Sequence, residues 1–371
     1  MSGVKINKFI PQMEPWFGKE EKKAICDYMD EGGWITEFKR TQRFEQMIAE
    51  YTGAKHCIVV NNGTISLTLA ALACGIKAGD EVIIPNYTMI ASPNSVFMFG
   101  AKPVFVDVEL ETLILDFTAT KRAITKKTKA IMLVSSNGRF PSVGIDKFKA
   151  LARKHNLYLI EDAAQSLGSF YPNGKHIGTE GIVGSFSFSA PKVISTGQGG
   201  ALITNDDDIA LKIRRLKDFG RAKGGTDFHD SIGYNFKFTE LQACIGIEQM
   251  KKLPWRINRK KEILKLYRKL LKKTKQVCFF EQDLKHTTPW FIDVLVDNRD
   301  KLQIYLKENN IGTRIMYPPI NKQAAYKYPG NFKVSNLVGE KGLWLPSSAQ
   351  LTDDEINYIC KKIIHYYKDL K

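Results

Sequence analysis

Residues 185–200 read Ser185-Phe186-Ser187-Phe188-Ser189-Ala190-Pro191-Lys192-Val193-Ile194-Ser195-Thr196-Gly197-Gln198-Gly199-Gly200. An apolar run closes on a lysine flanked by small residues and a proline rather than by other charges. The glycine cluster after it permits close backbone approach to a ligand. A lysine desolvated in such a setting loses its proton more readily than one in water and can form a Schiff base with a carbonyl. The other reading, a surface lysine in a glycine-rich turn, leaves the preceding apolar run unexplained.

Working back along the chain, the apolar run Leu157–Ile160 ends in Glu161-Asp162-Ala163-Ala164-Gln165. That places an acid just beyond the carboxyl end of a hydrophobic strand, where ligands of open α/β sheets collect. Such a carboxylate can cap the next helix, bind a metal or pair with a protonated ring nitrogen. No His/Cys cluster accompanies it, so a metal is the weakest of the three. Further back, Asn61-Asn62-Gly63-Thr64 follows a strand and opens a helix. Its amides suit a phosphate, although on this segment alone an N-cap by Thr64 is the better reading. Asp206-Asp207-Asp208 reads as a helix start rather than a calcium loop, because the ligand spacing is wrong.

Around these segments, β-branched and apolar runs alternate with amphipathic stretches, as in parallel βαβ units. The pattern predicts strands at 56–60, 81–85, 102–106, 130–134, 158–161, 184–188 and 200–204, and helices at 43–51, 66–74, 93–99, 146–155, 207–218 and 239–250. Strands at 290–296 and 314–318 and helices at 301–309 and 353–367 then suggest a compact α+β unit. The division expected is a large α/β domain over residues 1–250 and a small α+β domain over 251–371.

At 371 residues with 43% hydrophobic and 25% charged side chains, the chain is neither disordered nor collagen-like. No apolar run reaches the ~18 residues of a membrane span, and Met1–Asn7 lacks a signal-peptide core, so a cytoplasmic location without membrane attachment is expected. Six scattered cysteines without a CxxC argue against a zinc ribbon or a disulfide scaffold. The formal charge of +16 attracts phosphorylated ligands, nucleic acid or anionic membrane alike. Much of it lies in 251–275, where Ile263, Leu264, Tyr267, Leu270 and Leu271 recur at helical spacing. A solvated basic face over a packed stripe is expected there. No nucleic-acid recognition motif accompanies the charge, and a nucleic-acid-binding regulator using this helix is kept only as the alternative from another class.

Taken together, the segments resemble the DegT/DnrJ/EryC1/StrS family of pyridoxal-phosphate-dependent sugar aminotransferases. The likeness runs through Gly33-Trp34-Ile35, Asn62-Gly63-Thr64, Gly79-Asp80-Glu81-Val82-Ile83, Glu161-Asp162-Ala163-Ala164-Gln165, Ser185-Phe186-Ser187, Lys192, Thr196-Gly197-Gln198-Gly199-Gly200, Gly233-Tyr234-Asn235-Phe236-Lys237, Gly312-Thr313-Arg314 and Leu345-Pro346. It implies the aspartate-aminotransferase-like (type I) fold, α/β with a mostly parallel central sheet in the large domain. It also assigns roles that the residues alone only allow. Lys192 holds the cofactor as a Schiff base and moves the proton, and Asp162 keeps the pyridinium nitrogen protonated so that the ring acts as an electron sink. Gly63, Thr64 and Ser187 receive the phosphate, and Gln165 lies near the phenolic oxygen. Asn235 reaches the phosphate of the neighbouring subunit, which makes a homodimer part of the mechanism.

Four departures stand out. Met89 follows Thr88 where relatives often stack an aromatic ring, and a thioether can pack on that π face. Gly197-Gln198-Gly199-Gly200 replaces Gly-Glu-Gly-Gly. Ser189-Ala190-Pro191 stands where a histidine is common, and Pro318-Pro319-Ile320-Asn321 lacks another. The last two fall near the substrate, as would Arg314 and Asn321. The implied reaction is transfer of an amino group from glutamate to a ketosugar, the cofactor alternating between pyridoxal 5'-phosphate and pyridoxamine 5'-phosphate. The acceptor expected is a nucleotide-linked 4-keto-6-deoxyhexose, as in perosamine or viosamine formation. A 3-ketosugar, another sugar skeleton or a small keto phosphate are the alternatives, with residues 135–139 as a segment that tunes the choice. A branch that removes a hydroxyl carries histidine in place of the lysine, and Lys192 argues against it.

Overall fold

A computed structural model describes residues 8–222 and 226–369. In chain order the first half holds α1 (Lys19–Glu31), α2 (Lys39–Thr52), β1 (His56–Val60), α3 (Gly63–Ala73), β2 (Glu81–Pro85), α4 (Ala91–Phe97), β3 (Lys102–Val106), α5 (Phe117–Ala123), β4 (Thr128–Val134), α6 (Ile145–Lys154) and β5 (Tyr158–Asp162). The second half holds β6 (Val183–Ser187), β7 (Gly200–Thr204), α7 (Asp207–Lys217), α8 (Glu240–Leu271), β8 (Val277–Phe279), β9 (Ile292–Val296), α9 (Arg299–Glu308), β10 (Arg314–Ile315), α10 (Lys333–Lys341), β11 (Gly342–Leu345) and α11 (Asp353–Asp369).

Seven strands form one sheet in the order β1-β7-β6-β5-β4-β2-β3. All neighbours are parallel except β7, which is antiparallel to both β1 and β6. The sheet is therefore mostly parallel, and its strands are apolar on both faces because helices cover both. One covering helix, α3, is buried nearly all round, which its sequence GTISLTLAALA permits by carrying no charge. Asn62, not Thr64, caps it, accepting the Ile65 N–H at 2.9 Å. Thr64 is the second helical residue and already past the cap position. Asp206 caps α7 as expected, accepting from Ile209 N–H at 2.9 Å.

Four strands in the order β10-β11-β9-β8 form a second, antiparallel sheet. The expected division at 250/251 falls inside α8, a continuous 32-residue helix with Pro254 in its interior. Proline removes one helical hydrogen bond, and here tertiary burial outweighs that loss. Met250 and Leu253 enter the core of the large sheet, while Ile263, Leu264, Tyr267 and Leu271 enter that of the small one. The changeover lies near Lys260. The N-terminal segment also crosses over, since Ile10 pairs with Ile311 and joins the small core. The basic stretch 251–275 is thus the shared rod of two cores. The strand expected at 314–318 is only two residues long. Cys57, Cys74, Cys244 and Cys360 are buried thiols, and Cys26 and Cys278 are exposed ones. Among the described residues, no helix is long and apolar enough to cross a membrane.

Candidate active site

The chain direction of β5 presents two consecutive carboxylates to opposite faces. Glu161 turns into the protein, where it accepts from the Tyr171 hydroxyl at 2.6 Å and from the amides of Gly178, Glu180 and Gly181. Asp162 turns into a cavity of ≈ 560 Å³. Its Oδ2 accepts from Ser92 Oγ at 2.7 Å and its Oδ1 from Ala164 N at 3.2 Å. Ser92 is itself paired with Thr88 Oγ1 at 3.0 Å. Burial raises the Asp162 carboxyl above its ordinary range, opposed by the Ser92 and Ala164 hydrogen bonds and the field of Lys192. A cation brought against such a carboxyl favours its charged form.

Lys192 reaches the same cavity from the loop after β6. That loop closes on itself through Phe188 N to Gly199 O at 2.8 Å and Thr196 N to Phe188 O at 3.0 Å. The lysine Nζ lies 4.2 Å from the centre of the Trp290 ring. The indole is held in turn by its Nε1–H donating to Pro191 O at 2.7 Å. Loss of solvent brings the ammonium down to about 8 against the pull of Asp162. Near neutral pH it can therefore both release and hold a proton.

The third wall is the N-terminus of α3. Gly63 and Thr64 supply the first amides of the helix, which have no carbonyl of their own helix to bond. A Cβ at Gly63 would stand 2.8 Å from Ser187 Cβ, so only glycine lets the helix start come this close to the end of β6. Ser187 Oγ sits beside these amides in the cavity wall and is loosely paired with Ser189 Oγ at 3.3 Å. Helix amides plus a hydroxyl form an oxyanion cradle.

The cavity brings together Gly63, Thr64, Met89, Asp162, Gln165, Ser187, Lys192 and Arg314 of the expected residues. Met89 is 43% exposed and its sulfur accepts from Ala91 N at 3.0 Å. Arg314 stands exposed at the mouth, its guanidinium 5.5 Å from the Trp344 ring centre. Two residues fall elsewhere. Asn235 is exposed and outside the lining. Asn321 is tied to Asn86, its side-chain Oδ1 accepting from Asn86 Nδ2 and its backbone N–H donating to Asn86 Oδ1, both at 2.9 Å. Residues 135–139 also stand behind the lining rather than in it. Sequence reasoning missed Trp290, Tyr317 and Ser92. Ser92 follows Thr88 by one helical turn, the only local signal among them. Among the described residues no group of three His, Cys, Asp or Glu side chains could hold a metal ion.

An amine near its proton-exchange range, a carboxylate awaiting a cation and an anion cradle match the aldehyde, ring nitrogen and phosphate of pyridoxal phosphate, so the residues present fit that group. Fold and site together define a pyridoxal-phosphate-dependent transaminase. The chain belongs to the DegT/DnrJ/EryC1/StrS aminotransferase family, whose model matches residues 17–364. It is 36% identical over 366 residues to a GDP-perosamine synthase of Vibrio cholerae, covering 96% of this chain and 99% of that protein. Among solved structures it is similar to DesV of S. venezuelae in complex with a ketimine intermediate, at 29% identity and TM-score 0.88 over 94% of both chains. It is also similar to Helicobacter pylori PseC, an aminotransferase involved in pseudoaminic acid biosynthesis, at 26% identity and TM-score 0.91 over 98% of this chain and 100% of that one.

Proposed function

We propose that the protein moves an amino group from glutamate to a nucleotide-linked 4-keto-6-deoxyhexose, yielding a 4-amino sugar for a surface polysaccharide. The observation that carries this reading is the convergence of Lys192, Asp162 and the Gly63–Ser187 cradle on one cavity. The nucleotide-sugar acceptor is supported by the near full-length likeness to a GDP-perosamine synthase, and the basic chain favours a substrate bearing a pyrophosphate.

Pyridoxal phosphate supplies an electron sink and carries the amino group between the two half-reactions as its amine form. The protein does the rest. Amides of Gly63 and Thr64 and the Ser187 hydroxyl bind the phosphate. Asp162, oriented by Ser92, keeps a proton on the ring nitrogen. Lys192 would hold the aldehyde through its amine and, as a free base, would take up and give back the proton that leaves the substrate carbon. The Trp290 face and the buried walls exclude water from that transfer. Arg314 at the mouth is placed to meet the substrate as it enters.

The site is completed by a second copy of the chain. This is supported by the position of Asn235, exposed and outside the cavity of its own chain, and by large apolar side chains left open at Trp34, Phe228 and Ile232, which are 69%, 69% and 79% exposed. Sedimentation tests the dimer. The reaction is tested by the visible spectrum of the protein with pyridoxal phosphate. Loss of the band with glutamate and its return with one ketosugar of a 4-keto and 3-keto nucleotide-linked panel would name the acceptor. Failure of glutamate to remove the band would overturn the donor, and return with a 3-keto sugar alone would overturn the 4-keto assignment.

A further inference from the structure

Asn137 lies behind the cavity, 3% exposed, in the left-handed backbone region at φ 54° and ψ 30°. The turn that holds it is tight, because a Cβ on the next residue, Gly138, would stand 2.4 Å from Thr288 O. Its backbone N–H and both ends of its carboxamide are engaged. The backbone N–H donates to Gln165 Oε1 at 2.6 Å. The side-chain Oδ1 accepts from Phe291 N at 2.7 Å, and Nδ2 donates to Phe291 O at 3.0 Å and to Asp293 Oδ1 at 2.9 Å. Asp293 is clamped by both terminal nitrogens of Arg139, at 2.8 and 2.7 Å, and Arg139 Nε donates to Glu281 O.

The carboxamide thus grips the backbone of Phe291 from both sides, as a neighbouring strand would. Phe291 stacks on Trp290 with centroids 3.8 Å apart, and the Trp290 ring faces Lys192. At the other end, engagement of Gln165 Oε1 leaves its Nε2 as the end of that amide available to the cavity. Buried paired amides hold their orientation firmly, since the reversed arrangement leaves donors facing donors.

We infer that Asn137 is a positioning residue for the amino transfer, orienting the Gln165 carboxamide through its backbone N–H and setting the Trp290 indole against Lys192 through its side chain. This rests on the transaminase reading above. One residue outside the lining therefore fixes two residues of the cavity wall that Lys192 shares.

The test uses the full chain reconstituted with pyridoxal phosphate. Asn137→Gly keeps the left-handed backbone and the N–H to Gln165 but removes the grip on Phe291. Asn137→Asp keeps the acceptor for Phe291 N–H and sets a second carboxylate against Asp293. Adding Asp293→Asn restores a donor at that contact. For Asn137→Gly, kcat falls about tenfold to a hundredfold, as a small misplacement of reacting groups produces, with the KM for the amino donor little changed and the visible band displaced. Asn137→Asp shows the same signature, and the double variant recovers the band and part of kcat.

Wild-type band and kcat in Asn137→Gly, with only the melting midpoint lowered, would overturn the inference. If that variant does not fold, the aspartate pair decides, and no recovery in the double variant overturns it. A wild type that takes up no cofactor would overturn the functional reading and this inference with it, whereas a normal wild type beside an unmoved variant overturns this inference alone.

Discussion

Lys192, half-buried on the cavity wall, and Lys260, fully buried in α8 where the two cores meet, both lose much of their water. Burial brings the first down to about 8 against the opposing field of Asp162, and the second to about 7 with a further push from Arg256. Their surroundings differ in what the nitrogen can do. Lys260 donates to the carbonyls of Trp290 at 2.6 Å and Ser347, tying α8 to the strand entry and to the loop after β11. Lys192 faces an aromatic π surface and, among the described residues, has no hydrogen-bond acceptor for its Nζ. Burial eases the loss of a proton from either. Only the one whose hydrogens are uncommitted can then act as a nucleophile.

The sharpest way to break this contrast is to remove each lysine in turn. Lys192→Ala is expected to abolish amino transfer, by about 10²–10⁴-fold or more, with the fold retained and without the wild-type visible band. Normal turnover in that variant would reassign the amine. Lys260→Met is expected to leave cofactor capture intact while lowering stability by about 2–4 kcal/mol, since two buried carbonyls lose their donor. Urea unfolding reads the loss, and a variant as stable as the wild type would remove Lys260 from the structural role.

The smallest effect concerns pH. Only the neutral amine attacks an aldehyde, so the rate at which cofactor-free protein captures pyridoxal phosphate should rise about tenfold per pH unit and level off near 8. The same profile is expected in Lys260→Met. Because the unfolded lysine keeps its proton up to its ordinary 10.5 and the folded one does not, Lys192 should make the cofactor-free fold gain stability as pH rises from about 8 to 10.5. A plateau above pH 9 in the capture rate would show that Lys192 is less desolvated than its place in the cavity implies.

Asp162 was legible because it ends an apolar strand, a place where sequence and sheet topology coincide, and Lys192 because it stands in the loop just after one. The strands of the large sheet were legible as short β-branched or apolar runs between amphipathic stretches. β11 was not, since a four-residue apolar segment, Gly342–Leu345, has no period to distinguish it from a turn of buried helix. The continuation of α8 through Pro254 was not legible, because local preference ends a helix there and only the two cores on either side explain it. Trp290 carries no signal at all in the sequence. Its role exists only through Pro191, Lys260 and Phe291, which lie 99, 30 and one residue away. Asn321 shows the converse, a polar residue near a mouth motif whose side-chain oxygen and backbone N–H are both taken by Asn86.

The continuity of α8 has a mechanical side. At ~1.5 Å per residue the 32-residue helix is about 48 Å long, and from Glu240 to Lys260 the span is about 30 Å. Glu240 anchors the near end by accepting from the amides of Phe38, Arg40 and Thr41 at the start of α2. A one-degree tilt about that anchor carries the Lys260 position about 0.5 Å sideways, and Lys260 is bonded to the residue whose ring faces Lys192. The helix is a lever, so the seat of Trp290 against Lys192 answers to a carboxylate about 30 Å from Lys260 along α8.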